Sequence, residues 1–114
     1  MHELSIAMSI VEIATEEGAR HGGRVSVVHL RLGPLSGIVK DALLFSYEVA
    51  CQDTPLDGSR LVIEDVPLVV YCPHCQSRRA LASIQSLTCD TCGAPTPDVR
   101  EGRELELVAL EMDE

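Results

Sequence analysis

Aromatic side chains are scarce in this 114-residue chain: Phe45, Tyr47 and Tyr71 are the whole set and tryptophan is absent. Platforms on which bases or flat cofactors stack are correspondingly few. Basic side chains are also in short supply. Nine lysines and arginines stand against eighteen aspartates and glutamates, a formal charge of −9, so the mean field repels a phosphate backbone or an anionic membrane surface. Neither nucleic acid nor membrane is expected as a partner. No apolar run approaches the roughly 18 residues that a membrane span needs. The start of the chain does not resemble a secretory signal, because no Lys or Arg precedes Arg20 and Glu3 and Glu12 interrupt the apolar residues. The expected address is cytoplasmic and reducing, where cysteines serve as metal ligands or buried thiols rather than disulfides.

What is present is patterned. Leu4, Ala7, Met8, Val11 and Ala14 recur at steps of three and four, with Ile6, Ile10 and Ile13 widening the stripe. This spacing predicts an amphipathic helix from Glu3 to about Arg20, stopped by the glycines between 18 and 23. Val28, Leu30 and Leu32 alternate with polar residues and predict a strand over 24–32. Val25 and Val27 lie on the opposite phase, which calls for burial on both faces or a bulge. After Gly33-Pro34-Leu35-Ser36-Gly37, a second helix is expected from Lys40 to about Gln52. One line on it carries Ala42, Phe45 and Val49, and the next carries Leu44, Tyr47 and Cys51. Turn residues fill 53–59, and 61–70 is strand-like apart from Pro67, which belongs at an edge or bulge. A last strand over 104–112 closes the sheet.

Four of the five cysteines form two C-x-x-C pairs, Cys72/Cys75 and Cys89/Cys92, with thirteen residues between them. Two residues between thiolates let a tight turn aim both sulfurs at one ion, and two such turns complete a tetrahedron. The spacer is slightly shorter than the usual zinc-ribbon linker of about 15 to 20 residues. Zinc bound by all four sulfurs has no open position, so its role is structural. Iron in the same tetrahedron, a redox dithiol or ordinary core thiols are the competing readings. Cys51 reads as a buried helix thiol and His74 as a solvent-facing residue that can replace a thiolate if the site rearranges. His21 and His29 read as helix-end and strand-face residues.

The chain begins Met1-His2-Glu3. An α-amine, a backbone amide and an imidazole in succession can form fused chelate rings around Ni(II) or Cu(II) in a square plane, with the Glu3 amide as a fourth nitrogen and its carboxylate nearby. The bland alternative is a frayed terminus whose Glu3 merely favours the positive end of the first helix.

The opening Met-His-Glu-Leu-Ser-Ile-Ala, the segment Leu32-Gly33-Pro34-Leu35-Ser36-Gly37, the two cysteine pairs and Gly102-Arg103-Glu104-Leu105 together resemble the HypA/HybF family of hydrogenase maturation nickel metallochaperones, over essentially the whole chain. The resemblance implies that His2 is the essential ligand of a transferable nickel ion, assisted by Met1 and Glu3. It also implies that Cys72, Cys75, Cys89 and Cys92 hold structural zinc. It further implies a HypB-type GTPase and the large subunit of [NiFe]-hydrogenase as partners, with urease served by some members. In some members an acidic residue near the start of the second helix tunes the nickel site; Val39, Lys40 and Asp41 occupy that region here, and the role is not carried onto Asp41.

The expected fold is α/β, a small mixed three-stranded sheet with two helices plus an inserted zinc-ribbon-like module. Residues 1–70 and 100–114 would form the nickel-binding part and 71–99 the zinc-binding part. A β-α-β crossover would pair its strands in parallel, with the last strand antiparallel. The function is nickel handover without catalysis, by a monomer or homodimer. A zinc-ribbon protein-interaction module without transferable metal is the alternative.

Overall fold

The computed structural model describes residues 2–113. Its elements run α1 (Glu3–His21), β1 (Arg24–Leu32), α2 (Lys40–Cys51), β2 (Arg60–Asp65), β3 (Leu68–Cys72), β4 (Ser77–Leu81), β5 (Asp98–Glu101) and β6 (Leu105–Asp113). They build two three-stranded sheets, β2-β1-β6 and β4-β3-β5. The first is mixed, as expected: β2 joins β1 in parallel through the α2 crossover, and β6 joins it antiparallel. The second lies between β2 and β6 in the chain, where the inserted module was expected. A radius of gyration of 17.4 Å and extents of 52 × 24 × 15 Å exceed the about 13 Å radius of a compact chain of this length. The molecule is accordingly long.

α1 ends in a Schellman arrangement, with the Gly22 amide donating to Ala19 and the Gly23 amide to Gly18, and Gly22 at φ 69°. β1 resolves its two-phase pattern by a bulge. Val25 pairs with Met112 and Val27 with Glu111, leaving Ser26 as the extra residue. The bulge places Val25 in the same core as Val28 and Leu30.

That core is formed by Ile6, Ala7, Ile10, Val11 and Ala14 of α1 and Leu43, Tyr47 and Cys51 of α2, against β1. Here the expected faces need correction. Leu4 and Met8 are exposed, Leu43 rather than Leu44 lines up with Tyr47 and Cys51, and Phe45 is 68% exposed. Both helices are apolar around more than half their circumference, so periodicity alone does not select the buried stripe. Close helix–helix approach does, and it favours the fully buried Ala7, Ala14 and Leu43.

A second correction concerns 61–70, which is not one strand. Val66 and Pro67 break it, so β2 ends at Asp65 in the first sheet and β3 begins at Leu68 in the second. Pro67 has no amide to contribute to a ladder, and the break is where the chain leaves one sheet for the other. The second sheet therefore spans Leu68 to Glu101, and the expected divisions at 70/71 and 99/100 fall inside β3 and β5.

The sheets meet at a compact crossing. The Val66 amide donates to Leu32 (2.8 Å), the Gly33 amide to Glu104 (2.8 Å) and the Leu35 amide to Gly102 (2.7 Å). Across the same crossing, Lys40 at the start of α2 pairs with Asp65 at 2.8 Å. α1 leads into the start of β1, and α2 leaves from beyond its end. Both helices consequently start near the end of the first sheet that adjoins the crossing.

Candidate metal centre

The two cysteine pairs occupy two different turns. β3 ends at Cys72 and β4 opens at Ser77, its register partner, so the first C-x-x-C is the turn of a hairpin. Gln76, immediately after Cys75, adopts φ 52°. The second pair lies in a turn closed by the Thr88–Pro95 bridge, in which the Cys89 amide donates to Ala94 and the Gly93 amide to Cys89, both at 2.8 Å. Gly93, immediately after Cys92, has a positive φ of 76°. Each pair thus ends in a left-handed residue that turns the chain away from the sulfurs.

A zinc–sulfur bond of about 2.3 Å puts the corners of a regular tetrahedron about 3.8 Å apart. The Cys72 and Cys92 sulfurs are 3.5 Å apart, those of Cys75 and Cys89 are 3.9 Å apart, and all four lie within 4.8 Å of one another. The Cys75 amide also donates to the Cys72 sulfur at 3.3 Å. Electrostatics point the same way. The Cys92 amide, foremost, holds the Cys89 thiol down at about 6. The Ala94 amide favours a Cys92 thiolate, yet desolvation and the neighbouring cysteines push that thiol up to about 12. Four sulfurs this close do not all ionise without a cation among them. The donor set fits a tetrahedral, thiolate-binding ion.

Around the sulfurs, Leu68, Val70, Cys72, Cys89 and Thr96 are buried, which is little apolar material for a second sheet. Among the described residues, the buried side-chain polar atoms without a hydrogen-bond partner are Ser77 Oγ, Arg79 Nε and Thr96 Oγ1, all in this part of the chain.

The amino terminus forms a separate feature. His2 is the N-cap of α1, with extended backbone (φ −98°, ψ 134°) and no capping bond from its side chain, which is exposed. Glu3 opens the helix. Its carboxylate accepts the amide of Val39, the N-cap of α2, at 3.0 Å. The Val39 amide first, and then the amide of Glu3 itself, hold this carboxyl below the usual range. One acidic side chain therefore ties together the positive ends of two helices. Met1, expected as a nickel ligand, lies outside the described residues.

Of the remaining candidates, His74 is exposed beside the cluster, His21 faces Glu17 at 3.5 Å, and His29 faces Glu111 across β1 and β6. Cys51 is buried in the core beside Ser59. None of these joins the four-cysteine group among the described residues. The sequence carries no local signal for the Val39 amide, whose contact with Glu3 spans 36 positions.

Fold and cluster together define a small α/β protein that carries a four-cysteine metal-binding module. A family described as "Hydrogenase/urease nickel incorporation, metallochaperone, hypA" matches residues 1–112. The hydrogenase maturation factor HypA of Roseiflexus sp. (strain RS-1) is 54% identical over 115 residues, covering 100% of this chain and 94% of that protein. HypA of Chloroflexus aurantiacus (strain ATCC 29366 / DSM 635 / J-10-fl) is 51% identical over 97% of this chain and 98% of its own. The fold matches the solution structure of the Ni metallochaperone HypA from Helicobacter pylori, with TM-score 0.65 and 21% identity over 98% of this chain and 97% of that one. A second HypA solution structure matches with TM-score 0.71 and 21% identity over 98% and 96%. The chain belongs to the HypA family of hydrogenase maturation factors and nickel metallochaperones.

Proposed function

We propose that the chain binds Ni(II) at its amino terminus through Met1, His2 and Glu3, holds structural zinc with Cys72, Cys75, Cys89 and Cys92, and passes the nickel on during maturation of [NiFe]-hydrogenase, and of urease where that enzyme is present. The observation that carries this reading is the state of His2: an exposed imidazole at the first turn of α1, free of any capping bond, beside a carboxylate whose position α2 holds. The α-amine, a deprotonated amide and the imidazole supply strong nitrogen donors in one plane. Two helix N-termini nearby disfavour a bare cation. Anionic donors offset that penalty, and a small donor set on a chain terminus releases its ion more readily than a closed cage does.

Zinc fits the cysteine group because four thiolates close its coordination and leave it neither an open position nor a redox step. The work divides between residues 1–70 with 100–114, which present the terminus, and the cysteine part (71–99), which zinc stiffens. No step requires catalysis. The partners are a HypB-type GTPase and the hydrogenase large subunit, in the cytoplasm.

Metal analysis after nickel loading tests this reading. The expected result is one zinc and one nickel per chain, with nickel alone lost in His2→Ala or after one residue is added before Met1. Nickel retained by both variants would favour the zinc-ribbon interaction module instead.

A further inference from the structure

We infer that the open edge of β2 pairs with the same edge of a second copy of this chain, antiparallel about a two-fold axis at Val62, so that the two first sheets join into one of six strands.

β2 is an outer strand of its sheet. Its six residues keep an unbroken register with β1 and include no proline. Such an edge accepts another strand unless charge, a bulge or a covering element blunts it. β6, the opposite edge, is blunted: Val108 is an extra residue between the Ala109–His29 and Leu107–Leu30 pairs, and Glu106 and Glu111 stand on either side of it.

The backbone limits how β2 can pair. The Val66 amide donates to Leu32. Alternate residues of a parallel strand turn their amides and carbonyls to the same neighbour, so Val62 and Glu64 bond toward β1 while Leu61 and Ile63 present theirs at the open edge. An antiparallel partner must therefore engage Leu61 and Ile63 in its hydrogen-bonded pairs. A two-fold axis at Val62 does this, with Leu61 opposite Ile63 of the second copy and the reverse. The same axis sets Arg60 opposite Glu64, twice, in the pairs without hydrogen bonds, where side chains come closest. Axes at Leu61 or Ile63 also satisfy the backbone but oppose Arg60 with Val62 or Val66.

The side chains agree with this register. Leu61 and Ile63 pack against the core, so Arg60, Val62 and Glu64 alternate onto the other face. Arg60 is exposed and enters no ion pair among the described residues. Glu64 meets Arg31 at 3.1 Å, yet its side chain stays 68% exposed and has room for a second guanidinium. Val62, an exposed apolar residue, meets its own copy between the two charge pairs. Two chains of charge −9 repel, and these local opposite charges offset that repulsion. The axis also puts the two sheet crossings at opposite ends of the pair, which keeps the two amino termini apart.

Sedimentation of the full chain over a wide concentration range tests this, for the natural sequence, Arg60→Glu, Glu64→Arg and an equal mixture of the two variants. The natural chain dimerises. Each single variant turns two attractive pairs into repulsive ones and weakens dimerisation about tenfold or more. The mixture restores it, because every pair is again of opposite charge. Val62→Cys, with its two Cα atoms about 4.5 Å apart and within disulfide reach, cross-links the copies on oxidation with diamide. Glu64→Cys, about 13 Å from its copy along the strands, does not. A natural chain that sediments as a monomer throughout overturns the inference. So does a dimer that both single variants leave intact, or a mixture that associates no better than its components. Equal cross-linking of the two cysteine variants overturns it too.

Discussion

Gly33 and Gly102 touch backbone to backbone where the two sheets meet: a methyl group on Gly33 would overlap the Gly102 carbonyl, and one on Gly102 would lie 3.0 Å from Leu68 Cδ1. Gly102 also has φ 129°, a conformation that other residues avoid. The two segments are held by the amide of Leu35 on the Gly102 carbonyl at 2.7 Å and by the amide of Gly33 on the Glu104 carbonyl at 2.8 Å. Gly33→Ala pushes backbone against backbone, and overpacking of this kind costs about 1 to 3 kcal/mol. Urea unfolding measures the loss, and unchanged stability would show that the crossing opens freely.

His2 separates binding from stability. Its side chain caps nothing, whereas a serine at an N-cap satisfies a free amide and contributes about 1 kcal/mol. His2→Ser is expected to raise the melting temperature slightly while removing nickel affinity. A variant that melts lower would mean that the imidazole supports the helix after all.

Glu3 gives the acid limb of stability a specific origin. The Val39 amide lowers its pKa in the folded chain, so its contribution is present above the ordinary glutamate value of about 4.3 and fades as pH falls through the lower folded value. Glu3→Gln is less stable at neutral pH, and its stability changes less between neutral and acid conditions. Denaturant unfolding at pH 7 and again below pH 4 compares the two chains, and identical pH profiles would contradict the contact.

Zinc removal is expected to divide the molecule. The second sheet buries few side chains, chiefly Leu68, Val70, Cys72, Cys89 and Thr96, so most of its folding free energy must come from metal binding. The first sheet has its own core. A chelator strong enough to strip the site should erase amide protection over 68–101 and leave α1, α2 and β1 protected in hydrogen exchange. Uniform loss of protection would mean that the two sheets fold as one unit.

Much of this was legible in the residues, for identifiable reasons. α1, α2, β1 and β6 carry periodic patterns, and the C-x-x-C spacing placed the metal group. β4 and β5 carry no such signal: Ser77-Arg78-Arg79-Ala80-Leu81 puts basic residues on both faces and is held as a strand by its pairing with β3. The continuous apolar run through 61–70 concealed a change of sheet at Pro67. Residues such as Phe45 and Val49 misled because apolar side chains on a surface follow the same helical period as those in a core. The tie between Glu3 and Val39 is a tertiary contact and left no trace in local sequence.

The proposed nickel site begins at residue 1, and the proposed zinc site is the group of four cysteines. Nickel and zinc content per chain, measured after saturation and desalting for the natural chain, His2→Ala and a chain extended by one residue before Met1, tests both most directly. The expected result is one zinc in all three and one nickel in the first alone; full nickel content in either variant would contradict the terminal nickel site.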